Sequence, residues 1–385
     1  MNFVYFSPHF PPNYYRFCLH LHHLGAAVLG LADEPHDRLR PELKWALAEY
    51  YHVPNMHNYD ELLRALGYFT HRYGKLDRIE SHSEYWLETE ARLRTDFNIA
   101  GLKLADMPRI KRKSEMKKMF KAAGVDVARG RLTRSPSQVR RFAREVGYPL
   151  VAKPDVGVGA SKTYKLHTPQ ELEDFLARRL VDYIVEEFIV GTIQSFDGLV
   201  DQDGTMVFYT CHQYSQGIME TVNEDRDVHY FSLRDIPADL EQAGRRIIRA
   251  LGLKERFFHF EFFRTPQDRV VALEVNLRPP GGLTTDMFNY ANDIDVYREW
   301  ANVVVNNRFE ARYAWPYHCG YAGRKSGKRY AHSHQAILAE FGPALVHHEA
   351  MSGVFRDALG DYGYIVRSPN LDDILAAARF IHQPE

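Results

Sequence analysis

Apolar positions along the chain recur at two spacings, and each spacing predicts a different element. Short apolar runs or strict alternation predict strands at residues 3–6, 26–31, 76–80, 149–153, 162–166, 183–188, 197–199, 206–210, 257–263 and 270–275. Apolar residues returning every three or four positions predict helices at 15–24, 59–73, 84–97, 111–123, 137–146, 238–251, 334–340 and 371–382. The opening order of strand, loop, helix and strand is that of an α/β unit with a parallel sheet. A first α/β domain is therefore expected at 1–95, a two-lobed region at 96–307 with a lid lobe at about 120–190, and a C-terminal appendage at 308–385.

Composition narrows the class without naming a reaction. The 385 residues are 45% hydrophobic and 26% charged, ordinary values for a globular protein. A formal net charge of −1 gives no broad field for nucleic acid or an anionic membrane, so neither is expected as a partner. The three cysteines, Cys18, Cys211 and Cys319, are far apart and odd in number, which suits a reducing cytosol better than a disulfide framework. The first residues lack the basic-then-apolar order of a secretory signal, and no apolar run is long enough to span a membrane. A cytoplasmic location is expected.

Four segments carry candidate chemistry. The strongest is His259-Phe-Glu-Phe-Phe followed by Leu273-Glu-Val-Asn-Leu-Arg-Pro-Pro-Gly-Gly282. Strand alternation puts His259 and Glu261 on one face of the first strand, and Glu274 and Asn276 on one face of the second. The turn at 265–269 predicts antiparallel pairing that brings Glu261 to Glu274. Two carboxylates and an amide oxygen are hard ligands of the kind Mg²⁺ accepts, and Arg278 just beyond can neutralise a phosphoryl group. The bland alternative is an edge hairpin with solvated acids.

The other three segments are weaker alone. Leu150-Val-Ala-Lys153 runs into the glycine-containing loop Gly157-Val-Gly159-Ala-Ser161, where backbone N–H groups and Lys153 suit phosphate; the P-loop and dinucleotide fingerprints are both absent. Glu186 and Glu187 end an apolar strand before Ile189 and Gly191, where an acid can accept an adenine amine. The basic helix around Lys113 is either a solvated face or turns one lysine inward.

These segments, in this order, resemble ATP-grasp enzymes of the carboxylate–amine ligase branch, which includes L-amino-acid ligases and relatives of biotin carboxylase and carbamoyl-phosphate synthetase. The resemblance covers about residues 80–310 and implies an α/β protein in which nucleotide is held between two antiparallel sheets behind an N-terminal parallel domain. It implies ATP and Mg²⁺ as cofactors, with two ions and Mn²⁺ able to substitute. It places Lys113, Lys153, Gly157, Gly159 and Ser161 on the phosphates, and Glu186, Glu187 and Ile189 at the adenine hinge. Glu261, Glu274 and Asn276 fall on the metal ligands and Arg278 on the acyl-phosphate. An acid that reaches ribose in many members is replaced here by Ile193 and then Gln194, with Gln194 the substitute contact. The implied partners are a small-molecule carboxylate and an amine or thiol, in a chain that is compatible with a homodimer. His212, Tyr214, His229, His259, Gly281, Gly282 and Asp286 are substrate-pocket candidates. Bicarbonate activation, nucleotide binding without turnover and modification of protein tails are the competing readings.

Overall fold

The structure is a computed structural model that describes residues 1–157, 162–178, 180, 182–215 and 226–385. Its strands fall into three sheets in chain order. The first sheet holds β1 (Asn2–Phe6), β2 (Ala27–Ala32), β3 (Glu49–His52) and β4 (Arg78–Glu80), in the parallel order β3-β2-β1-β4. Alternation along β1 explains its burial on both faces. Phe3 and Tyr5 join a core with Phe17, Phe257 and Trp300, whereas Val4 and Phe6 pack with Leu62, Leu66 and Phe69 of the helix Tyr59–Tyr73.

The second sheet is a small lid of β5 (Gly130–Leu132), β6 (Leu150–Pro154), β7 (Tyr164–Leu166) and β8 (Tyr183–Glu187), antiparallel in the order β5-β8-β6-β7. Leu150, Ala152, Tyr183 and Val185 point to the helices Pro136–Val146 and Pro169–Ala177, which supply Phe142, Leu172 and Phe175. Their alternating neighbours Lys153, Ile184 and Glu186 therefore occupy the opposite face. All three are buried.

The third sheet is antiparallel and large: β9 (Thr192–Val200), β10 (Met206–Tyr214), β11 (Val228–Ser232), β12 (Arg256–Arg264), β13 (Val270–Asn276), β14 (His318–Arg324), β15 (Leu345–Ala350) and β16 (Tyr362–Ser368). Their order is β13-β12-β9-β10-β11-β14-β16-β15. Phe196, Phe258, Phe260 and Phe262 alternate onto the face covered by the helices Ala238–Leu251 and Lys113–Ala122, together with Ile247, Met116 and Phe120. The residues between them, Ser195, Asp197, His259 and Glu261, are left on the other face. The segment beyond residue 307 supplies β14, β15 and β16 to the same sheet, so the C-terminal region is continuous with the central one.

Among the described residues no helix is long and apolar enough to cross a membrane.

Candidate functional site

The β12–β13 hairpin pairs Glu261 directly with Glu274 and His259 with Asn276. A register shift follows Glu261, where Phe262 pairs with Ala272, so the two acids lie beside an irregularity in the ladder. The Glu261 and Glu274 side chains keep 17% and 19% of their surface exposed, enough to open on the cleft while the strands behind them are closed. Two carboxylates opposed across a ladder repel. Burial raises Glu274 above the usual carboxylate range, with the charge of Glu261 adding to the rise and Lys113 opposing it. Glu261 also feels burial, but His259 and Arg278 outweigh it and hold this acid low.

Behind Glu261 lies a buried relay. Asp197 of β9 hydrogen-bonds His259 Nδ1 at 2.5 Å through one oxygen and His212 Nδ1 at 2.8 Å through the other. The Ser195 hydroxyl donates to the same acid at 2.6 Å, and His259 Nε2 reaches Glu261 Oε1 at 3.1 Å. Burial disfavours the imidazolium of His259, yet the charge and hydrogen bond of Asp197, aided by Glu261, raise it to about 9. The same contact holds Asp197 at about 2 against its own burial. Glu261 is thus oriented by a cation that is itself anchored on β9.

Lysines arrive from the lid side. The helix Lys113–Ala122 is fastened to β6 through Asp155, whose carboxylate accepts the Ser114 backbone N–H at 2.8 Å and the Ser114 hydroxyl at 3.0 Å. Its backbone carbonyl accepts the Lys113 N–H at 2.8 Å. This seating turns two lysines inward, one helical turn apart. Lys113 Nζ donates to the Gly157 carbonyl at 3.0 Å and lies 3.5 Å from Glu274. Lys117 Nζ pairs with Glu186 at 2.8 Å, and Lys153 Nζ reaches the other oxygen of Glu186 at 2.9 Å. Burial pushes Glu186 up, but the two ammonium groups outweigh it and hold it below its ordinary value. Burial lowers Lys117.

The linker between β8 and β9 carries the hinge positions. Glu187 is held by Arg129 through its Nε at 2.9 Å, its NH2 at 2.7 Å and its backbone N–H at 2.7 Å. Ile189 is half-buried. Gly191 passes so close to β12 that a Cβ would sit 2.7 Å from the Arg264 carbonyl, which leaves glycine as the residue that fits.

The structure thus gathers Lys113, Lys153, Gly157, Glu186, Glu261, Glu274, Asn276 and His259 around one cleft. Arg278, whose NH1 donates to the Pro279 carbonyl at 2.7 Å, bears electrostatically on both Glu261 and Tyr14. Tyr214 stacks on Tyr230 at 5.0 Å, with Asp197 and Glu261 both acting on its buried hydroxyl. Gly282, at φ +65, faces Leu359, and Gly281 faces Phe355. Gly159 and Ser161 lie outside the described residues, as does the segment 216–225.

Three candidates lie elsewhere. Gln194 shares the helix-covered face with Phe196, and its amide is occupied by Gln213 at 3.1 Å and Arg264 at 3.3 Å, so it turns away from the Asp197 face. His229 alternates with Tyr230 and sits by His382 of the C-terminal helix, 5.9 Å between ring centroids; burial, with His382 adding, lowers it to about 4. Asp286 is closed off by Arg16 at 2.6 Å and Asn13 at 2.7 Å, a tie between the first domain and the helix Thr284–Asn292. Sequence reasoning missed Lys117, Asp155 and Asp197. Lys117 was signalled by its four-residue spacing from Lys113. The two aspartates carried no local signal, because their partners lie on other elements.

Among the described residues no three His, Cys, Asp or Glu side chains converge as a metal group. The hairpin offers instead two carboxylates and an amide. That set fits a hard cation on one point: two acids face each other, Glu261 offset by His259 at 3.1 Å and Glu274 by the Lys113 ammonium at 3.5 Å, with Asp197 behind His259 adding a third negative charge.

Comparison with known proteins places the fold among known ones. The ATP-grasp domain family matches residues 175–286. The L-arginine-specific L-amino acid ligase of Bacillus subtilis is 22% identical over 252 residues, covering 61% of this chain and 59% of that protein. The chain therefore spans less than two thirds of that relative. Among solved structures, an L-amino acid ligase from Bacillus licheniformis superposes with a TM-score of 0.76 at 15% identity, covering 98% of this chain and 96% of the other. The biotin carboxylase domain of 2-oxoglutarate carboxylase from Hydrogenobacter thermophilus, in complex with MgADP and bicarbonate, superposes with a TM-score of 0.70 at 17% identity, covering 94% and 86%.

Proposed function

We propose that this chain, which has the ATP-grasp fold and carries an ATP-grasp domain, is an ATP-dependent carboxylate–amine ligase. In the reaction proposed, the carboxylate of a small molecule attacks the γ-phosphorus of ATP, giving an acyl phosphate and ADP. An amine (or thiol) then attacks the acyl carbon; inorganic phosphate leaves, and the nucleophile loses its proton. The observation that carries this reading is the Glu261–Glu274 cross-strand pair set against inward-turned Lys113, with Lys153 on the neighbouring lid.

Phosphoryl transfer depends chiefly on positioning and charge neutralisation, so a site of lysines, acids and an arginine without an activated nucleophile suits it. Lys113 and Lys153 would take the phosphates, Lys153 leaving Glu186 to do so. Glu186 and the backbone near Glu187 and Ile189 would grip adenine. Arg278 would neutralise the acyl phosphate, and the lid bearing Gly157 would exclude water. Glu261, Glu274 and Asn276 would hold Mg²⁺, whose charge, when bound, offsets that of the phosphate oxygens. Two ions, substitution by Mn²⁺, a cytoplasmic location and a homodimer belong to the same proposal. Tyr214 is the remaining wall of the acceptor pocket, with the Gly281-Gly282 loop.

ADP release measured with pooled carboxylates, pooled amines and both together tests the reading, with mass spectrometry of the product. Release that requires both pools, with a product of their summed mass less water, is expected. ATP binding without ADP release under every combination would overturn the ligase reading, and release with bicarbonate alone would assign a carboxylating reaction.

A further inference from the structure

A groove of about 400 Å³ opens at the β5 edge of the lid, between that strand and the helix Lys113–Ala122. Its walls carry five cations, Lys117, Lys118, Lys121, Arg131 and Arg134, and no carboxylate. Ser114, Ser135 and Gln138 add polar groups, and Ala128, Leu132 and Ile184 an apolar floor. Lys153, Glu186 and the β12–β13 acids are absent from that lining, so the groove lies across Lys117 from the cleft described above. We propose that it is a second anion site that takes a small phosphorylated molecule.

The charge is available. The Lys118–Glu115 and Arg134–Asp182 pairs sit at the surface, with 73% of the Lys118 and 60% of the Arg134 side chain exposed, and surface pairs of this kind hold their partners weakly. Arg131 donates to the carbonyl of its neighbour Gly130 at 2.9 Å and otherwise stacks over Phe142. The Lys121 side chain, on the same wall, has no hydrogen bond or ion pair among the described residues. Its like charge bears on buried Lys117, which an incoming anion relieves.

Phosphate fits this set better than a carboxylate does. Two guanidinium forks match phosphate oxygens bidentately, and a dianion offsets more of the surplus charge than a monoanion. The volume lies in the range of small-molecule pockets, about 300–1,000 Å³, and the net charge of −1 gives no extended field for a polyanion. Lys117 also touches Glu186, the partner of Lys153. An anion drawing on Lys117 therefore loosens Glu186 and alters how Lys153 meets nucleotide; this coupling, unlike the site itself, rests on the ligase reading.

Calorimetry with ribose 5-phosphate as the probe and ribose as the uncharged control tests the site. Saturable one-to-one binding of the phosphate ester alone is expected, weakened at least about tenfold in the double variant Lys121→Ala, Arg131→Ala. A non-hydrolysable ATP analogue should bind that variant as it binds the original protein, and should shift the probe's affinity to a plateau. Absence of saturable probe binding up to millimolar concentration overturns the site, as does equal binding to the double variant. Complete displacement by the ATP analogue would assign the groove to the nucleotide cleft instead. Failure of the ATP analogue to bind at all would count against the ligase reading while leaving the probe result to stand.

Discussion

Strand β12 carries a buried charge cluster at each end, and the two are built on opposite principles. At its start, Arg256 joins Glu80 of β4 at 2.6 Å, and Arg94 reaches Glu90 at 2.8 Å and Glu80 at 3.5 Å. Two arginines meet two acids, and the Nε groups of Arg256 and Arg94 donate to the carbonyls of Leu277 and Ile79. Five residues further along, Glu261 meets Glu274, acid against acid, with His259 at 3.1 Å from the first and a lysine at 3.5 Å from the second as partial relief. The first cluster is closed on itself and fastens the opening domain to the large sheet. The second sets three acids, Asp197, Glu261 and Glu274, against His259 and Lys113, so its charge is only partly compensated, which costs stability and, on the proposed reading, suits a cation. Compensation, more than burial, separates the fastening from the working end.

The sharpest way to break this contrast is Glu274→Gln. Turnover should fall about a thousandfold, on the order of 4 kcal/mol of barrier. The melting temperature should hold or rise, because the opposed charge is gone. Paired calorimetry and ADP release check this, and near-normal turnover would refute the metal role. At the closed end the expected signs reverse. Arg94→Ala leaves Glu90 and Glu80 buried without their partner and should cost about 3 kcal/mol of stability. Denaturant unfolding reads the loss, while ADP release per folded molecule should change little.

Asp197→Asn probes the support beneath the open end. His259 loses the charge that keeps it an imidazolium, and with it the orientation of Glu261. Turnover should drop about tenfold, and the Mg²⁺ concentration for half-maximal rate should rise. An unchanged metal dependence would make the relay purely structural.

The smallest effect concerns pH at the closed end. Burial, with the charge of Glu80 adding to it, raises Glu90 to about 7, whereas Arg256 and Arg94 outweigh burial and hold Glu80 at about 2. Folded Glu90 keeps a proton that the unfolded chain has lost above its ordinary value of 4.5, so stability falls as pH climbs from about 4.5 to 7. Compared with Glu90→Gln, the original protein should lose roughly 2–3 kcal/mol between pH 5 and 8. Parallel melting-temperature profiles of the two proteins would remove this assignment.

The open end was legible in the sequence because its geometry is local. Alternation and one five-residue turn are enough to set Glu261 against Glu274, and the helices Tyr59–Tyr73, Ala238–Leu251 and Leu371–His382 follow from apolar spacing alone. What stayed hidden depends on distant partners. Asp197 reads as one polar residue beside Gln194 and Ser195 in a mixed strand until β10 and β12 flank it with histidines. Strand β14 hid for a different reason. Its sequence His-Cys-Gly-Tyr-Ala-Gly-Arg looks like a turn, yet both glycines are set by close approach. A Cβ on Gly323 would meet the Leu359 carbonyl oxygen at 1.8 Å, and one on Gly320 would meet Ile374 at 2.4 Å. Residues chosen for crowding weakened the propensity signal of the strand they sit in.

That same strand governs what happens if the chain is shortened. Strand β11 pairs with β10 on one side and β14 on the other. A fragment ending near residue 307 would leave Val228–Ser232 with a bare row of amides and carbonyls, flanked by the aromatic rings of Tyr230 and Phe231. Such an edge is a template on which a second copy can add its own strand. The C-terminal segment thus acts as a guard against self-association, and its loss would be felt first as insolubility and only then as lost chemistry.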